Sequence, residues 1–364
     1  MEKHPVKRDF VSAGESVSLS EYYRKRKRFF AVFLICAAML VAGFAVSYAW
    51  GEGGSAWKDR DGAPPETGSE ENGTTEPAPS DRTEDTGALS ESALSTESEG
   101  EAVPDDPTAG TPILSMTLSS PHGETYINNE SIQAYDYRAL LEADVSCEIG
   151  EAPLVLILHT HTSEGYAKEG SALIEGILGE VTYTKDPAQS VLSVGEVLCH
   201  TLKENGISAI HCRTVHDAEG LKGAYATAAE SVRFFLSHYP SIMYVIDLHR
   251  DAILTSEGEY VRAVTYANGE ALAQVMAVVG SDGNGTKHER WKESLALAEQ
   301  LCRSLNADVP TLCRPTVLRN ASYNQELSPY SLLLEIGTGG NSVEEAKRSA
   351  VLVGKALATL IRGR

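Results

Sequence analysis

The sequence predicts an α/β fold in which helices flank a largely parallel central sheet, preceded by one transmembrane helix and a disordered linker. Two observations support the folded part. Short unbroken apolar runs, typical of strands buried on both faces, recur between residues 153 and 337. Segments with helical spacing of apolar residues separate them. Strands that alternate with helices in this way usually form a parallel sheet.

The N-terminal part predicts a membrane anchor. Residues 29–50 form 22 positions without a charge, enough for a helix to cross a bilayer. Five consecutive basic residues, 24–28, come directly before, whereas residues 51–110 carry sixteen acidic residues against three basic ones. The positive-inside rule then makes 1–28 a basic cytoplasmic tail and the rest extracytoplasmic. A cleaved signal peptide is the competing interpretation, but its apolar region would be shorter.

Residues 51–110 predict a disordered acidic linker, because they are rich in Gly, Ser, Thr, Pro and acidic residues and almost lack bulky aliphatic ones. The linker carries about 13 of the 20 net negative charges of the chain, so the low isoelectric point describes mainly this segment. No basic face predicts a nucleic-acid partner. Five of the six cysteines follow the linker without CxxC spacing, which favours buried small hydrophobes over a zinc knuckle or a complete disulfide framework.

The domain 111–364 contains the predicted strands and helices. Unbroken apolar runs predict buried strands, and the segment ISAIHCRTV is strand-like. The four strands are 153–159, 207–215, 241–249 and 331–337. The segments VRAVTY and AQVMAVVGS, joined through ANGEAL, predict two more strands around a turn.

Apolar residues at helical spacing predict the helices between these strands. The first ends at Gly206 and the second at Pro240, residues that commonly stop a helix. The four helices are 190–206, 224–240, 291–307 and 342–364.

Three of the buried strands end in polar, reactive residues. LIL leads into HTHTSE, YVI into DLHRD, and LLL into EIG. Ligands of such sheets bind beyond the carboxyl ends of the strands, so three polar clusters at one edge predict a pocket. Its candidate residues are His159, His161, Glu164, Asp247, His249, Arg250, Asp251 and Glu335.

This set suits Zn²⁺, because two imidazoles and a carboxylate are the protein ligands of many hydrolytic zinc sites. We assign the metal to His161 and His249, with Glu164 as the third ligand, and the general base to Glu335. His161 is favoured over His159 because it lies further beyond its strand. Glu335 follows three leucines in a buried strand, where an unpaired carboxylate is costly unless it has a metal, a cation or a catalytic role.

Other interpretations of these residues stay open from the sequence alone. A single histidine at a strand end is more often structural than a ligand. Glu164 suits an N-cap or a solvent-facing loop equally well. Asp247 and Asp251 either anchor Arg250 or orient an imidazole, as supporting groups around a metal do.

The quoted motifs resemble a known family. HTHTSEGY, IDLHRDA, AQVMAVVGSD followed by KHERW, and YNQELSPYSLLLEIGTGGNSVEEAKRSA are similar to stage II sporulation protein P of endospore-forming Firmicutes. The resemblance covers residues 150–364 and fits the basic tail, single span and linker. It implies an amidase-like fold, since that family is related to zinc-dependent N-acetylmuramoyl-L-alanine amidases.

Site residues carried over by the resemblance are His161 and His249 as the two metal-binding histidines and Glu335 as the late catalytic glutamate. The remaining ligand of the ordinary amidases is a glutamate at the start of the first helix, where this chain has Ala188, Gln189 and Ser190. Either Glu164 replaces it or fewer protein ligands hold the metal. Asn324, in the motif YNQELSPY, is grouped with His159, Asp247, Arg250 and Asp251 as supporting or substrate-contacting residues.

The resemblance also implies a function. It implies a septal peptidoglycan hydrolase that cuts the amide between N-acetylmuramic acid and L-alanine, and also stem-peptide cross-links, during engulfment in sporulation. It implies stage II sporulation proteins D and M as membrane partners. Two alternatives are a non-catalytic wall-binding ectodomain and another exported zinc peptidase, such as a carboxypeptidase.

Overall fold

A seven-stranded sheet forms the centre of the fold in this computed structural model, which describes residues 110–119, 125–174 and 183–363. All of these residues belong to one compact unit. No helix among the described residues is long and apolar enough to cross a membrane. The proposed span 29–50 and most of the linker lie outside the described residues, so those expectations stay predictions.

Strands and helices alternate over much of the chain, as the α/β prediction requires, although β6 to β9 follow one another without a helix. The strands are β1 (Thr111–Met116), β2 (Ile127–Asn129), β3 (Val155–Leu158), β4 (Leu173–Ile174), β5 (Ala209–His211), β6 (Tyr244–Asp251), β7 (Tyr260–Ala267), β8 (Glu270–Ala273), β9 (Val275–Gly280), β10 (Thr316–Arg319) and β11 (Tyr330–Thr338). The helices longer than one turn are α1 (Tyr137–Glu142), α2 (Val191–Glu204), α3 (Ala224–His238), α4 (Trp291–Asp308) and α5 (Val343–Ile361).

The central sheet has the strand order β2-β10-β9-β11-β6-β3-β5. Neighbouring strands run parallel, except that β9 and β11 are antiparallel. The predicted largely parallel sheet is therefore confirmed, with the correction that the sheet is mixed. The sheet consists of two parallel blocks, β2-β10-β9 and β11-β6-β3-β5, which run in opposite directions and meet at the β9–β11 pair.

A second sheet corrects the predicted turn around ANGEAL. It has four strands in the order β4-β1-β7-β8. β7 turns back through Asn268 and Gly269, both with positive φ, and pairs with β8 inside the segment expected to be the turn. An Asn-Gly pair with positive φ suits the tight turn of a hairpin. β9 then leaves this hairpin and joins the central sheet.

Alternation along the central strands divides the core between the two faces of the sheet. Val155 and Ile157 pack into a large cluster with α2, α4 and α5, whereas Leu156 and Leu158 pack against α3. In β6, Ile246 and Leu248 belong to the large cluster, and Val245 faces the α3 side. Helices therefore cover both faces, as predicted for strands with unbroken apolar runs.

One cysteine pair departs from the sequence prediction. Cys302 in α4 and Cys313 before β10 form a disulfide with a Cα–Cα distance of 5.3 Å, whereas Cys147, Cys199 and Cys212 are free. The spacing of eleven residues carried no signal, because the chain has to return past the end of α4 before the two residues meet. Cys199 and Cys212 are buried, as expected of small hydrophobes.

Candidate metal and active site

Three adjacent parallel strands bring the predicted site residues together. β11, β6 and β3 are neighbours, and the register sets Glu335 opposite His249 and Leu158 opposite Asp247. Asp247 and His249 alternate with the core residues of β6, so they share the sheet face that α3 covers. The expectation that the three strand ends meet at one edge is confirmed.

His249 lies between two carboxylates in the buried part of the site. Its Nδ1 is 3.2 Å from Oε2 of Glu164, and its Nε2 is 3.0 Å from Oδ1 of Asp247. These are ion-pair distances, but neither ring nitrogen meets hydrogen-bond geometry. Burial would lower the pKa of His249, yet the two carboxylates raise it well above its ordinary value. The metal-free site therefore stabilises an imidazolium at this position.

Glu164 belongs to this buried cluster and is neither a solvent-facing loop residue nor an N-cap. Its side chain is only 4% exposed, and Oε2 accepts a hydrogen bond from the backbone N–H of Arg250 at 3.1 Å. Burial would raise the pKa of Glu164, but the charges of His249 and Arg250 outweigh it and lower that pKa. A carboxylate beside an imidazole is the type of group that binds zinc.

Asp247 holds His249 from the other side and is itself held by Thr160. Its two oxygens accept hydrogen bonds from the Thr160 backbone N–H at 2.8 Å and the Thr160 hydroxyl at 2.6 Å. Burial opposes ionisation, but His249 and Thr160 lower the pKa of Asp247 to about 2. Asp247 therefore lies beside the imidazole of His249, which favours orienting that imidazole, one of the two roles that the sequence left open.

The structure separates the two histidines of HTH. Nδ1 of His159 donates to the Leu248 carbonyl at 2.8 Å, and its Nε2 lies 2.8 Å from Nε2 of His211. Burial and the neighbouring His211 lower the pKa of His159 to about 3, so the ring is neutral and Nε2 accepts. Both ring nitrogens of His159 are engaged in contacts within the protein, as is typical of a structural histidine.

His161 has the opposite character. Its Nδ1 is buried without a hydrogen-bond partner, and its ring centroid is 5.4 Å from that of His249. Burial lowers the pKa of His161, which keeps the ring neutral as a metal ligand must be. The geometry therefore supports His161, and not His159, as the histidine available to a metal.

Replacing Gly195 by Ala tests the structural role of His159. A Cβ on Gly195 in α2 would lie 2.6 Å from Nε2 of His159 and 2.8 Å from Nε2 of His211. We expect the free energy of unfolding in urea to fall by about 1–3 kcal/mol, even though Ala is the better helix former. Gly150→Ala, where nothing lies within 4 Å of the added atom, is the control. Equal stability of the two variants would contradict the close packing around His159.

Glu335 is the most unusual carboxylate of the site. It is fully buried, and neither side-chain oxygen has a hydrogen-bond partner. Burial, followed by the negative charge of Asp251, raises the pKa of Glu335 to about 8. Such a carboxylate is costly to keep for stability alone, and a raised pKa beside a polar cluster marks a candidate general base.

The remaining predicted residues surround this cluster. Arg250 donates from Nε to the Gly165 carbonyl at 3.0 Å, and its guanidinium lies 5.3 Å from the ring centre of Tyr183. Asp251 accepts a hydrogen bond from Nη1 of Arg314 at 2.8 Å, so it anchors that arginine. Asn324 donates to the backbone carbonyl of Tyr225 at 2.8 Å.

Three site residues were missed by the sequence analysis. Thr160 holds Asp247, and Tyr225 packs edge-on against His161 with ring centroids 5.6 Å apart. Asp217 accepts hydrogen bonds from the backbone N–H and the hydroxyl of Ser163. Thr160 stands within the quoted HTHTSE motif. Asp217 lies two residues after the predicted strand 207–215, and this strand end was not counted among the polar clusters. Tyr225 lies at the start of a helix, where no local pattern pointed to it.

The side chains fit a zinc ion by type and by their unused bonding capacity. The buried atoms without hydrogen-bond partners include Nδ1 of His161, both ring nitrogens of His249 and both carboxylate oxygens of Glu335. Histidine nitrogens and carboxylate oxygens are common zinc ligands. Among residues 110–119, 125–174 and 183–363, no group of three or more such side chains already has a metal-binding arrangement.

Fold and site together define an α/β protein with buried histidines and carboxylates at the carboxyl edge of a largely parallel sheet. The chain belongs to the stage II sporulation protein P family, whose model matches residues 58–358. Stage II sporulation protein P of Bacillus subtilis strain 168 is 26% identical over 212 residues, or 55% of this chain and 49% of that protein. The match thus spans about half the length of that relative.

Solved structures with low similarity include bacterial amidases. An N-acetylmuramoyl-L-alanine amidase of Nostoc punctiforme is 16% identical, with a TM-score of 0.33 over 59% of this chain and 97% of that one. The catalytic domain of such an amidase from Bacillus (Paenibacillus) polymyxa is 13% identical, with a TM-score of 0.36 over 58% and 97%. Such TM-scores do not establish a common fold, so the family assignment rests on the sequence match.

Proposed function

We propose that this protein is a membrane-anchored peptidoglycan hydrolase that uses zinc to cleave the amide between N-acetylmuramic acid and L-alanine. The observation that carries the proposal is the buried, unpartnered Glu335 carboxylate, set opposite His249 in the strand register, with His161 packed against that same imidazole. Membership of the sporulation protein family, whose motifs resemble those of the amidases, supports the substrate class.

The proposed roles follow from the side chains. His161, His249 and Glu164 would hold the ion, and Asp247 would orient His249. Zinc bound there would act as a Lewis acid and make water nucleophilic near neutral pH. Glu335 takes a proton from water while a C–O bond forms at the carbonyl carbon. The C–N bond then breaks, and Glu335 returns the proton to the leaving amine.

The cellular setting is part of the same proposal. Residues 29–50 would anchor the chain in the cell membrane, with the N-terminus cytoplasmic and the catalytic domain extracytoplasmic. A flexible linker of about sixty residues gives reach to the wall without fixing orientation. The family's name supports a role in sporulation. We place that role at the septum, with cleavage of stem-peptide cross-links as a further activity and stage II sporulation proteins D and M as partners.

Digestion of purified sacculi by the full chain in detergent tests the reaction. We expect release of stem peptides with a free L-alanine amino group, loss of release on chelation, and its return on adding zinc. Mass spectrometry of the soluble fragments identifies the bond. Release of single amino acids would instead indicate a carboxypeptidase, and binding to sacculi without release would indicate a non-catalytic wall-binding domain.

A further inference from the structure

Tyr225 has a buried hydroxyl in the candidate site that nothing in the described part of the protein binds. It is the second residue of α3, and its Oη is buried without a hydrogen-bond partner. Its ring packs at 89° against His161, with centroids 5.6 Å apart. A buried hydroxyl normally finds a partner, because leaving one unpaired costs the hydrogen bond it made with water. An unpaired hydroxyl beside a catalytic cluster is therefore available to a ligand.

The backbone around Tyr225 holds the ring in this position. Nδ2 of Asn324 donates to the Tyr225 carbonyl at 2.8 Å, and the ring of Tyr323 lies 6.0 Å from that of Tyr225. Tyr323 and Asn324 both have left-handed backbone conformations, with φ of 51° and 59°. Non-glycine residues adopt this conformation rarely, and it persists where surrounding contacts impose it. The YNQEL segment thus positions Tyr225.

The other hydroxyl groups near the cluster are already engaged. The Thr160 hydroxyl donates to Asp247 at 2.6 Å, and that of Ser163 donates to Asp217 at 2.5 Å. The Tyr166 hydroxyl donates to the Ile336 carbonyl at 2.9 Å. Tyr225 is the remaining hydroxyl donor of these four.

We propose that Tyr225 is a catalytic residue whose hydroxyl donates a hydrogen bond to the oxygen of the scissile carbonyl. This inference rests on the proposed amide hydrolysis. As water adds to the carbonyl carbon, the C=O electron pair moves onto oxygen, and the Tyr225 hydroxyl stabilises that charge without giving up its proton. When the C–N bond breaks, the electron pair on that oxygen re-forms the C=O bond. A donor fixed before the reaction stabilises developing charge without reorganising.

Tyr225→Phe in the full, zinc-loaded chain tests the proposal with a defined N-acetylmuramoyl-L-alanyl peptide. We expect kcat to fall about 10²-fold, as for removal of one oxyanion donor, with KM and bound zinc nearly unchanged. Binding of a phosphinate analogue of the tetrahedral intermediate should weaken by a similar factor, whereas affinity for the product peptide should not change. Calorimetry measures both affinities without turnover.

Two further variants keep the test interpretable. Tyr330→Phe removes another buried tyrosine hydroxyl, which donates to the Asp144 carbonyl, and should leave kcat unchanged. Asn324→Gly tolerates the left-handed backbone but deletes the hydrogen bond to Tyr225, so kcat should fall by a smaller factor. This second variant tests the proposal even if Tyr225→Phe does not fold.

The outcomes separate this inference from the proposed function. If wild type cleaves the amide and Tyr225→Phe keeps its kcat, or loses activity only through KM or zinc content, the role of Tyr225 is overturned and the amidase stands. If wild type does not cleave the amide at all, the proposed function fails and the inference falls with it. A loss confined to kcat and to phosphinate affinity supports the role.

Discussion

Glu335→Gln is expected to lower kcat for amide cleavage by about 10²–10⁴-fold, the usual contribution of a positioned general base, while bound zinc stays close to the wild-type level. The amide has the same shape as the carboxylate but does not accept a proton from water. Turnover of the muramoyl peptide and metal analysis of the same sample check both parts.

The matched control is Glu299→Gln. Glu299 in α4 is also fully buried with both carboxylate oxygens lacking hydrogen-bond partners, and burial raises the pKa of Glu299 as well. It lies outside the candidate site, so its replacement should leave kcat unchanged. Full activity of Glu335→Gln would eliminate the proposed base, and equal losses in both variants would assign the effect to core stability.

The same substitution should change how the stability of the metal-free protein depends on pH. Burial raises the pKa of Glu335 to about 8 in the folded protein, from an ordinary value of 4.5. Between these values the folded state holds a proton that the unfolded chain has released, so the free energy of unfolding falls as pH rises from about 4.5 to 8. In Glu335→Gln the free energy of unfolding should not show this part of the fall with pH. Urea unfolding of both proteins at a series of pH values measures the difference.

The long buried strands and helices were predictable because their signal is local. β3, β6 and β11 each contain a run of consecutive apolar residues, and α2 to α5 show helical spacing of such residues. The first two of these helices also end close to Gly206 and Pro240. β1 and β10 were missed for the converse reason. β1 pairs in parallel with β7, which is distant in the chain, and β10 has only four residues. Their strand character comes from the partners they meet, which a short sequence window does not contain.

The candidate site was predictable in its strand-end residues and not in its contacts. The polar residues after LIL, YVI and LLL could be found because parallel strands end at one edge. Alternation alone would place His159 and His161 on the same face of the sheet. His159 follows Ile157 on the α2 side, where it meets Gly195. β3 ends at Leu158 and a turn begins at Thr160, so His161 leaves that face and packs against His249. Tyr225 reaches His161 only because α3 packs over that edge, which no local pattern encodes.

Glu164→Gln decides the question of the third ligand, and we expect it to weaken zinc affinity by about 10–100-fold or more. The glutamine side chain would still accept the hydrogen bond from the Arg250 backbone, so the loop should keep its conformation. The matched control is Glu196→Gln, because Glu196 also lies 3.2 Å from a histidine nitrogen, on His211 outside the cluster. Its zinc affinity should equal that of wild type.

Glu164 has two opposing effects on zinc affinity: as a ligand it would strengthen binding, and by stabilising protonated His249 it weakens binding. The pH dependence of zinc affinity in Glu164→Gln separates the two effects. Glu164 and Asp247 raise the pKa of His249, so a proton competes with zinc for that imidazole and affinity rises with pH. Removing the Glu164 charge weakens this competition. If Glu164 only stabilises the imidazolium, Glu164→Gln should bind zinc more tightly than wild type at acidic pH. If Glu164 is a ligand, the lost bond outweighs the weaker competition, and affinity measured by competition with a chromophoric chelator should fall at every pH.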